Sequence, residues 1–172
     1  TTGQLPGPMA DHVIVAGLGN VGTRVLRELY DLGIAVVGID RSAQARGVAV
    51  ARELGIPVII GNANSAETLR AASVQTCQTL VVLSTDDVTN LETALLARAV
   101  HSGHHRTDPP DPVGDQRQAT ARLRVVLRLF DEEFAARVKR AFAIDCSRSV
   151  SYLSAPAFAA QAPTEVATVT GS

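Results

Sequence analysis

Aromatic residues are scarce in this chain, and tryptophan is absent. Aromatic side chains make up 3% of the 172 residues, whereas hydrophobic residues make up 46%. The core must therefore be built from Ala, Val, Leu and Ile, a composition typical of parallel sheets covered by helices on both faces. A chain of this length suits one domain.

Cysteine is also scarce, and no charge of either sign is in excess. Cys77 and Cys146 are far apart in sequence and form no C-x-x-C motif. Their spacing argues against a disulfide framework or a cysteine-based zinc site, and we expect both to be small core residues. The net charge of −1 gives no electrostatic basis for binding nucleic acid or an anionic membrane.

Long hydrophobic runs are missing as well. No run approaches the roughly 18 apolar residues of a membrane span, and residues 1–10 lack the basic and apolar regions of a signal peptide. We expect a soluble, cytoplasmic domain without direct membrane insertion. Residues 1–10, rich in Gly and Pro, predict a flexible leader, and the small residues of 162–172 predict a flexible tail.

A glycine-rich motif follows the first apolar run of the chain. Gly17 permits a tight turn, Gly19 lets the backbone approach a pyrophosphate, and Gly22 lets a helix pack close to the strand. Asn20 and Val21 lie in the first turn of that helix, whose N-terminus would face the phosphates. The motif predicts a nucleotide-binding turn, although glycines also occur in ordinary loops.

Asp40 supports the nucleotide interpretation because it ends the second apolar run, eighteen residues after Gly22. A carboxylate at this point of the fold accepts hydrogen bonds from the adenosine ribose hydroxyls. It would repel a 2′-phosphate, which favours NAD(H) or a simple adenine nucleotide over NADP(H). The neighbouring Arg41 could bind a phosphate, or it could be an exposed arginine at a loop start.

The alternation of six apolar strands with helices predicts the fold class. We expect an α/β, doubly wound, Rossmann-like parallel sheet of order 3-2-1-4-5-6 with helices on both faces, formed by residues 11–161. The sixth strand is expected near Arg148 to Ser151. The regular pattern breaks over residues 101–121, where prolines and histidines predict a long loop insertion.

Polar residues follow the third and fourth strands, at the edge of the sheet where ligands bind in this fold. Asn62 and Ala63 are candidates for contact with the adenine or the ribose. Asn64, next in sequence, is expected to cap a helix. Ser84 and Thr85 are candidates for donating hydrogen bonds to a phosphate or to the ribose.

Charged groups around the later strands have structural explanations as well as functional ones. Asp86 and Asp87 are expected to favour a helix N-terminus rather than to bind a metal. Arg128, near the end of the apolar fifth strand, needs a partner: either a nucleotide phosphate, or Asp131 or Glu132 in the same or a neighbouring subunit.

No metal site is expected. His101, His104 and His105 match no standard pattern of metal ligands. The acidic run that begins at Asp131 is expected to be a charged helix start.

Taken in order, these features resemble the RCK (regulator of potassium conductance) domain, also called the TrkA-N domain. The resemblance covers nearly all of residues 11–161 and is more specific than the glycine motif alone. It is carried by the glycine motif, Asp40, Gly61-Asn62-Ala63, the D-D-x-x-N pattern from Asp86 to Asn90, and the strand end Val126-Leu127-Arg128.

The resemblance implies a cytosolic regulatory domain that controls a potassium channel or transporter from the inner face of the membrane. It implies NAD(H) as the ligand, with ATP, ADP or AMP as alternatives. It also implies homodimers, often assembled into octameric rings, with a dimerisation helix that begins within residues 151–160. The nucleotide-binding residues would be Gly17, Gly19, Asn20, Val21, Gly22, Asp40, Arg41, Asn62, Ala63, Ser84, Thr85 and Arg128.

The sequence departs from the family pattern at two places. Asn62 stands where the family commonly has aspartate, which removes a negative charge beside the ligand. The insertion before the fifth strand is also longer than usual.

Two enzyme classes are alternatives to a sensor. An NAD-dependent oxidoreductase needs an acid or base near the nicotinamide. Tyr30 and Tyr152 lack a lysine four residues later, which excludes the Y-x-x-x-K motif of short-chain dehydrogenases, and little chain follows the fifth strand for a catalytic domain. A methyltransferase using S-adenosylmethionine would also use a glycine loop and an acidic residue after the second strand. We expect a sensor without catalytic residues.

Overall fold

The computed structural model describes residues 5, 7, 9–105, 123–142 and 165–170. Within these ranges, strands and helices alternate along the chain. They are β1 (Val13–Ala16), α1 (Asn20–Asp31), β2 (Val36–Asp40), α2 (Arg46–Glu53), β3 (Val58–Ile60), α3 (Ala66–Ala71), β4 (Thr79–Val82), α4 (Asp87–His105), β5 (Arg124–Leu129), α5 (Glu132–Phe142) and β6 (Glu165–Thr170).

The strands form a single sheet of order β3-β2-β1-β4-β5-β6, and the predicted fold class and the order 3-2-1-4-5 of the five parallel strands are confirmed. All pairs from β3 to β5 are parallel. The chain passes from β1 to β2 and β3 on one side, and then to β4 and β5 on the other. The ends of β1 and β4 therefore meet where this direction reverses, with Ala16 paired to Val82. Ligands bind at such a switch point in open α/β sheets.

The sixth strand differs from the prediction in position and direction. It lies within 162–172, the segment predicted to be a flexible tail, and it runs antiparallel to β5 rather than parallel. The segment forms a strand because Val and Thr occur at alternating positions, and β-branched residues favour extended backbone. The prediction rested on the small residues of the segment instead. The strand expected near Arg148 to Ser151 lies outside the described residues.

The predicted loop insertion over 101–121 also begins too early, because α4 continues to His105. His101 is buried, and its Nδ1 lies 3.0 Å from the carbonyl oxygen of Val74. It follows the buried Ala94 and Ala97 at helical spacing, a periodicity that the polar composition of this segment concealed. Residues 106–122, like the dimerisation segment expected within 151–160, lie outside the described residues.

The core has two layers, one on each face of the sheet, as the strand pattern predicts. Alternate residues of β1 show the division: Ile14 packs in one layer with α3, α4 and α5, whereas Val13 and Val15 pack in the other with α1 and α2. Within the predicted leader, Leu5 and Met9 pack against the first layer, because they supply apolar side chains among the glycines and prolines.

Cys77 is a core residue, as predicted. Its side chain is buried in the first layer, and this burial raises the pKa of the thiol to about 12. Cys146 lies outside the described residues. Among the helices that the structure describes, none is both long and apolar enough to cross a bilayer.

Candidate functional site

A cleft of about 410 Å³ opens at the carboxyl ends of β1, β2, β3 and β4. Its volume lies in the range of small-molecule and cofactor sites. Eight of the predicted site residues line it: Gly17, Gly19, Asp40, Arg41, Asn62, Ala63, Ser84 and Thr85. The topology therefore brings together residues from four separate strand ends.

The three glycines of the motif differ in what surrounds them. Gly17 has a φ of +97°, and a Cβ there would lie 2.8 Å from the backbone nitrogen of Ser84. A Cβ on Gly22 would lie 1.9 Å from the carbonyl oxygen of Gly17. Gly19 has no atom within 4 Å of the position its Cβ would take. Gly17 and Gly22 are thus needed for internal packing, whereas the surface of Gly19 is open to a ligand.

The N-terminus of α1 is suited to an anion. Gly19 is its N-cap residue, so no side chain caps the first amides, and the first turn carries no acidic residue. The helix dipole and the uncapped amides both favour a negative group. Asn20 and Val21 form the first turn without lining the cleft. Arg46 of α2 donates from Nη1 to Oδ1 of Asn20 at 3.3 Å, which places a cation beside this helix end.

Leu18 fixes the glycine loop to the rest of the fold. Its side chain is fully buried, and a Cβ on Gly38 of β2 would lie 2.9 Å from its Cδ1. Gly47 of α2 donates its amide to the carbonyl of Leu18 at 2.8 Å, and a Cβ there would lie 2.7 Å from the Leu18 Cβ. These contacts were not predicted. The available signal was a glycine inside a strand and another inside a helix, where glycine is otherwise unfavourable.

Asp40 both holds the loop and lines the cleft. Its Oδ2 accepts a hydrogen bond from the Leu18 amide at 2.8 Å, and its Oδ1 accepts one from the Ser42 amide at 2.9 Å. A carboxylate oxygen has two lone pairs, so each oxygen keeps one acceptor position. The residue can therefore bind ribose hydroxyls while it joins β2 to the glycine loop.

On the β3 side of the cleft, Asn62 and Ala63 occupy the predicted position in the lining. The prediction that Asn64 caps α3 is wrong. The helix begins one residue later, with Ser65 as its N-cap and no side-chain cap. The Asn64 Nδ2 instead donates to Oε2 of Glu92 on α4 at 3.3 Å.

Asp86 caps α4, as expected. Its Oδ1 accepts from the Val88 amide at 3.0 Å, and its Oδ2 accepts from the Thr89 hydroxyl at 3.0 Å. The hydrogen bonds from Thr89, and then those from the backbone, hold the pKa of this carboxyl below its usual value. Asp86 therefore stays ionised at neutral pH.

Asp87 holds a different segment. It accepts from the Phe130 amide at 2.9 Å through Oδ1 and from the Asp131 amide at 2.8 Å through Oδ2. It thereby ties the start of α4 to the loop between β5 and α5. Asp131 in turn accepts from the Phe134 amide at 3.0 Å, which confirms the charged start of α5.

Asn90 joins the ends of β4 and β5. It is fully buried, and its Nδ2 donates to the carbonyl oxygens of Ser84 at 2.9 Å and Arg128 at 2.8 Å. Its Oδ1 accepts a hydrogen bond from the Ser84 hydroxyl. The sequence pattern alone assigns Asn90 no individual role. The D-D-x-x-N pattern is thus a set of structural hydrogen bonds.

Arg128 does not line the cleft. Its guanidinium lies 4.2 Å from the centroid of the Phe130 ring, a cation–π contact. Burial lowers the pKa of Arg128, and the charge of Asp87 opposes this effect. Its buried Nε has no hydrogen-bond partner. The structure thus places the Phe130 ring and the charge of Asp87 close to Arg128. A pairing with a phosphate, or with Asp131 or Glu132 of the same or a neighbouring subunit, stays a prediction.

Comparisons with known proteins agree with this arrangement. The family model of the TrkA-N domain matches residues 13–107, more than half of the chain. No curated protein sequence matches. Among solved structures, the chain is similar to the TrkA-N domain of the inner membrane protein YbaL from Escherichia coli, with 20% identity over 78% of this chain and 98% of that one and a TM-score of 0.53. It is also similar to the Kef CTD of Shewanella denitrificans in AMP-bound form, with 24% identity over 76% of this chain and 65% of that one and a TM-score of 0.53.

Proposed function

The chain belongs to the TrkA-N domain family, and on this basis we propose that it is a regulatory nucleotide-binding domain that controls a potassium channel or transporter. The proposed ligand is NAD(H), with AMP, ADP or ATP as alternatives. The observation that carries the proposal is that the open surface of Gly19, the N-cap of the otherwise uncapped helix α1, and the Asp40 carboxylate line one cleft.

The proposal gives each of these groups a part of the nucleotide to bind. The amides of α1 and the adjacent Arg46 favour the phosphates. The remaining acceptor positions of Asp40 suit the ribose hydroxyls, and its charge disfavours a 2′-phosphate. Asn62 and Ala63, on the β3 side, extend the lining beyond Asp40 and suit the adenosine.

The residues that line the cleft support binding rather than catalysis. Among the described residues, the ionisable groups in the lining are Asp40, Arg41 and Asp86. Asp40 is engaged by two backbone amides, and Asp86 is held in its ionised form. A general acid or base needs a pKa near the working pH, which an aspartate with a lowered pKa does not have. An NAD-dependent oxidoreductase is therefore the second candidate rather than the first.

A sensor works by differential affinity, because a ligand that binds one conformation more tightly shifts the population toward it. In this chain the ligand site is lined by loops that follow four strands, so a bound nucleotide would contact the segments that lead into α1, α2, α3 and α4. We propose that this shift in population reaches a membrane channel or transporter subunit through a cytoplasmic homodimer or an octameric ring. Sedimentation of the purified chain tests the assembly: a dimer or octamer is expected, and a monomer at all concentrations would contradict it.

Calorimetric titration tests the ligand. We expect binding of NAD⁺, NADH or the adenine nucleotides, and weaker binding of NADP⁺ than of NAD⁺.

Asp40→Ala should weaken adenosine binding by about tenfold, because it removes the ribose acceptors, while the domain stays folded. Asp31→Ala, an exposed acidic residue at the far end of α1, is the matched control. Binding of S-adenosylmethionine alone would overturn the proposed function. Unchanged affinity in Asp40→Ala would mean that the ribose does not bind at the end of β2.

A further inference from the structure

One polar atom in the lining of the cleft has no partner. Thr93 of α4 lines the cleft and is fully buried, and its Oγ1 makes no hydrogen bond. Among the described residues, the other buried side-chain atoms without a partner are the His12 Nδ1 and the Arg128 Nε, and neither of these residues lines the cleft. A buried hydroxyl without a partner is unfavourable and calls for an explanation.

The polar neighbours of Thr93 do not supply that partner. The Asn90 amide uses Nδ2 for two backbone carbonyls and Oδ1 for the Ser84 hydroxyl. The Thr89 hydroxyl donates to Asp86. A threonine inside a helix commonly donates to the carbonyl four residues earlier, but Thr93 makes no such bond. Its hydroxyl remains available to a group that enters the cleft.

Part of the lining is apolar. Three of its buried residues are aliphatic and lie at or beside the carboxyl ends of β1, β2 and β4: Ala16, Ile39 and Val82. A partly apolar surface that also offers an unpartnered hydroxyl suits a flat heteroaromatic ring that presents one hydrogen-bonding edge. It does not suit a phosphate, which needs several donors or a cation.

We infer that Thr93 is a specificity-determining residue whose hydroxyl hydrogen-bonds the polar edge of the nucleobase. The inference rests on the proposed nucleotide function and names the residue that senses the base. A hydroxyl both donates and accepts, so it can pair with a ring nitrogen or with an exocyclic amine. Since Thr93 has no exposed surface, the base reaches it only when this end of the cleft widens, and base binding is thereby coupled to α4.

The test is Thr93→Val, which keeps the shape of the side chain and removes the hydroxyl. AMP should bind the variant about tenfold more weakly than the wild type, because one hydrogen bond to the ligand is lost. The midpoint temperature of the variant without ligand should rise, since an unpaired buried hydroxyl is removed. Thr93→Ser should retain most of the AMP affinity, and Thr93→Ala serves as a second hydroxyl deletion.

Two controls separate base recognition from a general effect on the site. Ribose 5-phosphate, measured by displacement of AMP, should bind the wild type and Thr93→Val equally. Thr79→Val, at the opposite end of β4, should leave AMP affinity unchanged. Equal AMP affinity in the wild type and Thr93→Val would overturn the inference alone, as would a parallel loss for ribose 5-phosphate. Failure of the wild type to bind any adenine nucleotide would overturn the proposed function together with it.

Discussion

The two sides of the cleft use their polar residues differently. On the β1–β2 side, the Gly19 surface is open, the α1 N-terminus is uncapped by any side chain, and Asp40 keeps spare acceptor positions. On the β4–β5 side, Asp86, Asp87 and Asn90 use their side chains in hydrogen bonds within the protein. The first side is arranged for a ligand, and the second side holds the strand ends in place.

This difference shows that acidic residues at strand ends have to be judged by their partners. Asp40 ends β2 and Asp86 follows β4, and both line the cleft. Asp40 joins two loops that face the ligand, whereas Asp86 satisfies the first amides of α4. Substitutions of Asp86, Asp87 and Asn90 should therefore change stability and leave affinity nearly unchanged, whereas substitution of Gly19 should change affinity and leave stability nearly unchanged.

Asn90→Ala should have the largest effect on stability. It removes three hydrogen bonds from a fully buried side chain, two of them to the carbonyls of Ser84 and Arg128. We expect a loss of about 3 kcal/mol in the free energy of unfolding, measured in urea. Asn62→Ala, which is exposed, should change stability by less than about 0.5 kcal/mol. A similar small change in Asn90→Ala would mean that the strand ends are held by other contacts.

Asp87→Ala should have the next largest effect. The carboxylate accepts hydrogen bonds from two backbone amides of the loop between β5 and α5. Its removal should cost about 2 kcal/mol, since hydrogen bonds to a charged group exceed neutral ones. Asp87→Asn, which keeps one acceptor oxygen, should be intermediate. Denaturation curves check the order of stability of the wild type, Asp87→Asn and Asp87→Ala. A marked loss of AMP affinity in a fully folded Asp87→Ala variant would place Asp87 in the ligand site instead.

Gly19→Ala should affect binding alone. The protein leaves open space around the added methyl group, so the fold should remain intact. The methyl group should block close approach of the phosphates and weaken AMP binding by about tenfold or more. The matched control is Gly103→Ala, which also meets no atom within 4 Å but lies on α4. Calorimetry should show unchanged affinity in the control, and equal affinity in both variants would contradict a phosphate site at Gly19.

The smallest expected effect is the pH dependence of the stability that Asp86 contributes. Because its pKa is lowered in the folded state, its capping bonds stabilise the protein above the unfolded-state pKa of about 3.9. This contribution is lost as the pH falls through the lower folded-state value. The midpoint temperature of Asp86→Ala should thus lie below that of the wild type at pH 7, and the gap should narrow near pH 3. A difference in midpoint temperature that grows as the pH falls would contradict this prediction.

Much of the fold was predictable because its signals are local. The apolar strands, the glycine turn and the alternation with helices fix the strand order through short right-handed crossovers. The antiparallel β6 was not predicted, because its direction depends on a connection within residues 143–164 rather than on its own sequence. The extension of α4 through His101 was concealed by polar residues, since only the burial of one face shows it.

Eight of the twelve predicted site residues line the cleft, whereas the structural contacts that hold the site together were not predictable. The positions of Gly17, Gly19 and Asp40 follow from the motif and the spacing alone. The contacts of Leu18 with Gly47 depend on how closely α2 approaches the loop, which the sequence does not specify. Arg128 was a candidate because a cation in an apolar strand needs a partner, yet only the tertiary structure shows that Phe130 and Asp87 surround it.

Backbone amide chemical shifts during a titration with AMP test the central claim most directly. If the β1–β2 side binds the nucleotide, the largest changes should occur at Gly19, Asn20 and Val21, with further changes near Asp40. The amides of Phe130 and Asp131, held by Asp87, should change little. Changes concentrated at Phe130 and Asp131, with none at the glycine loop, would contradict the account.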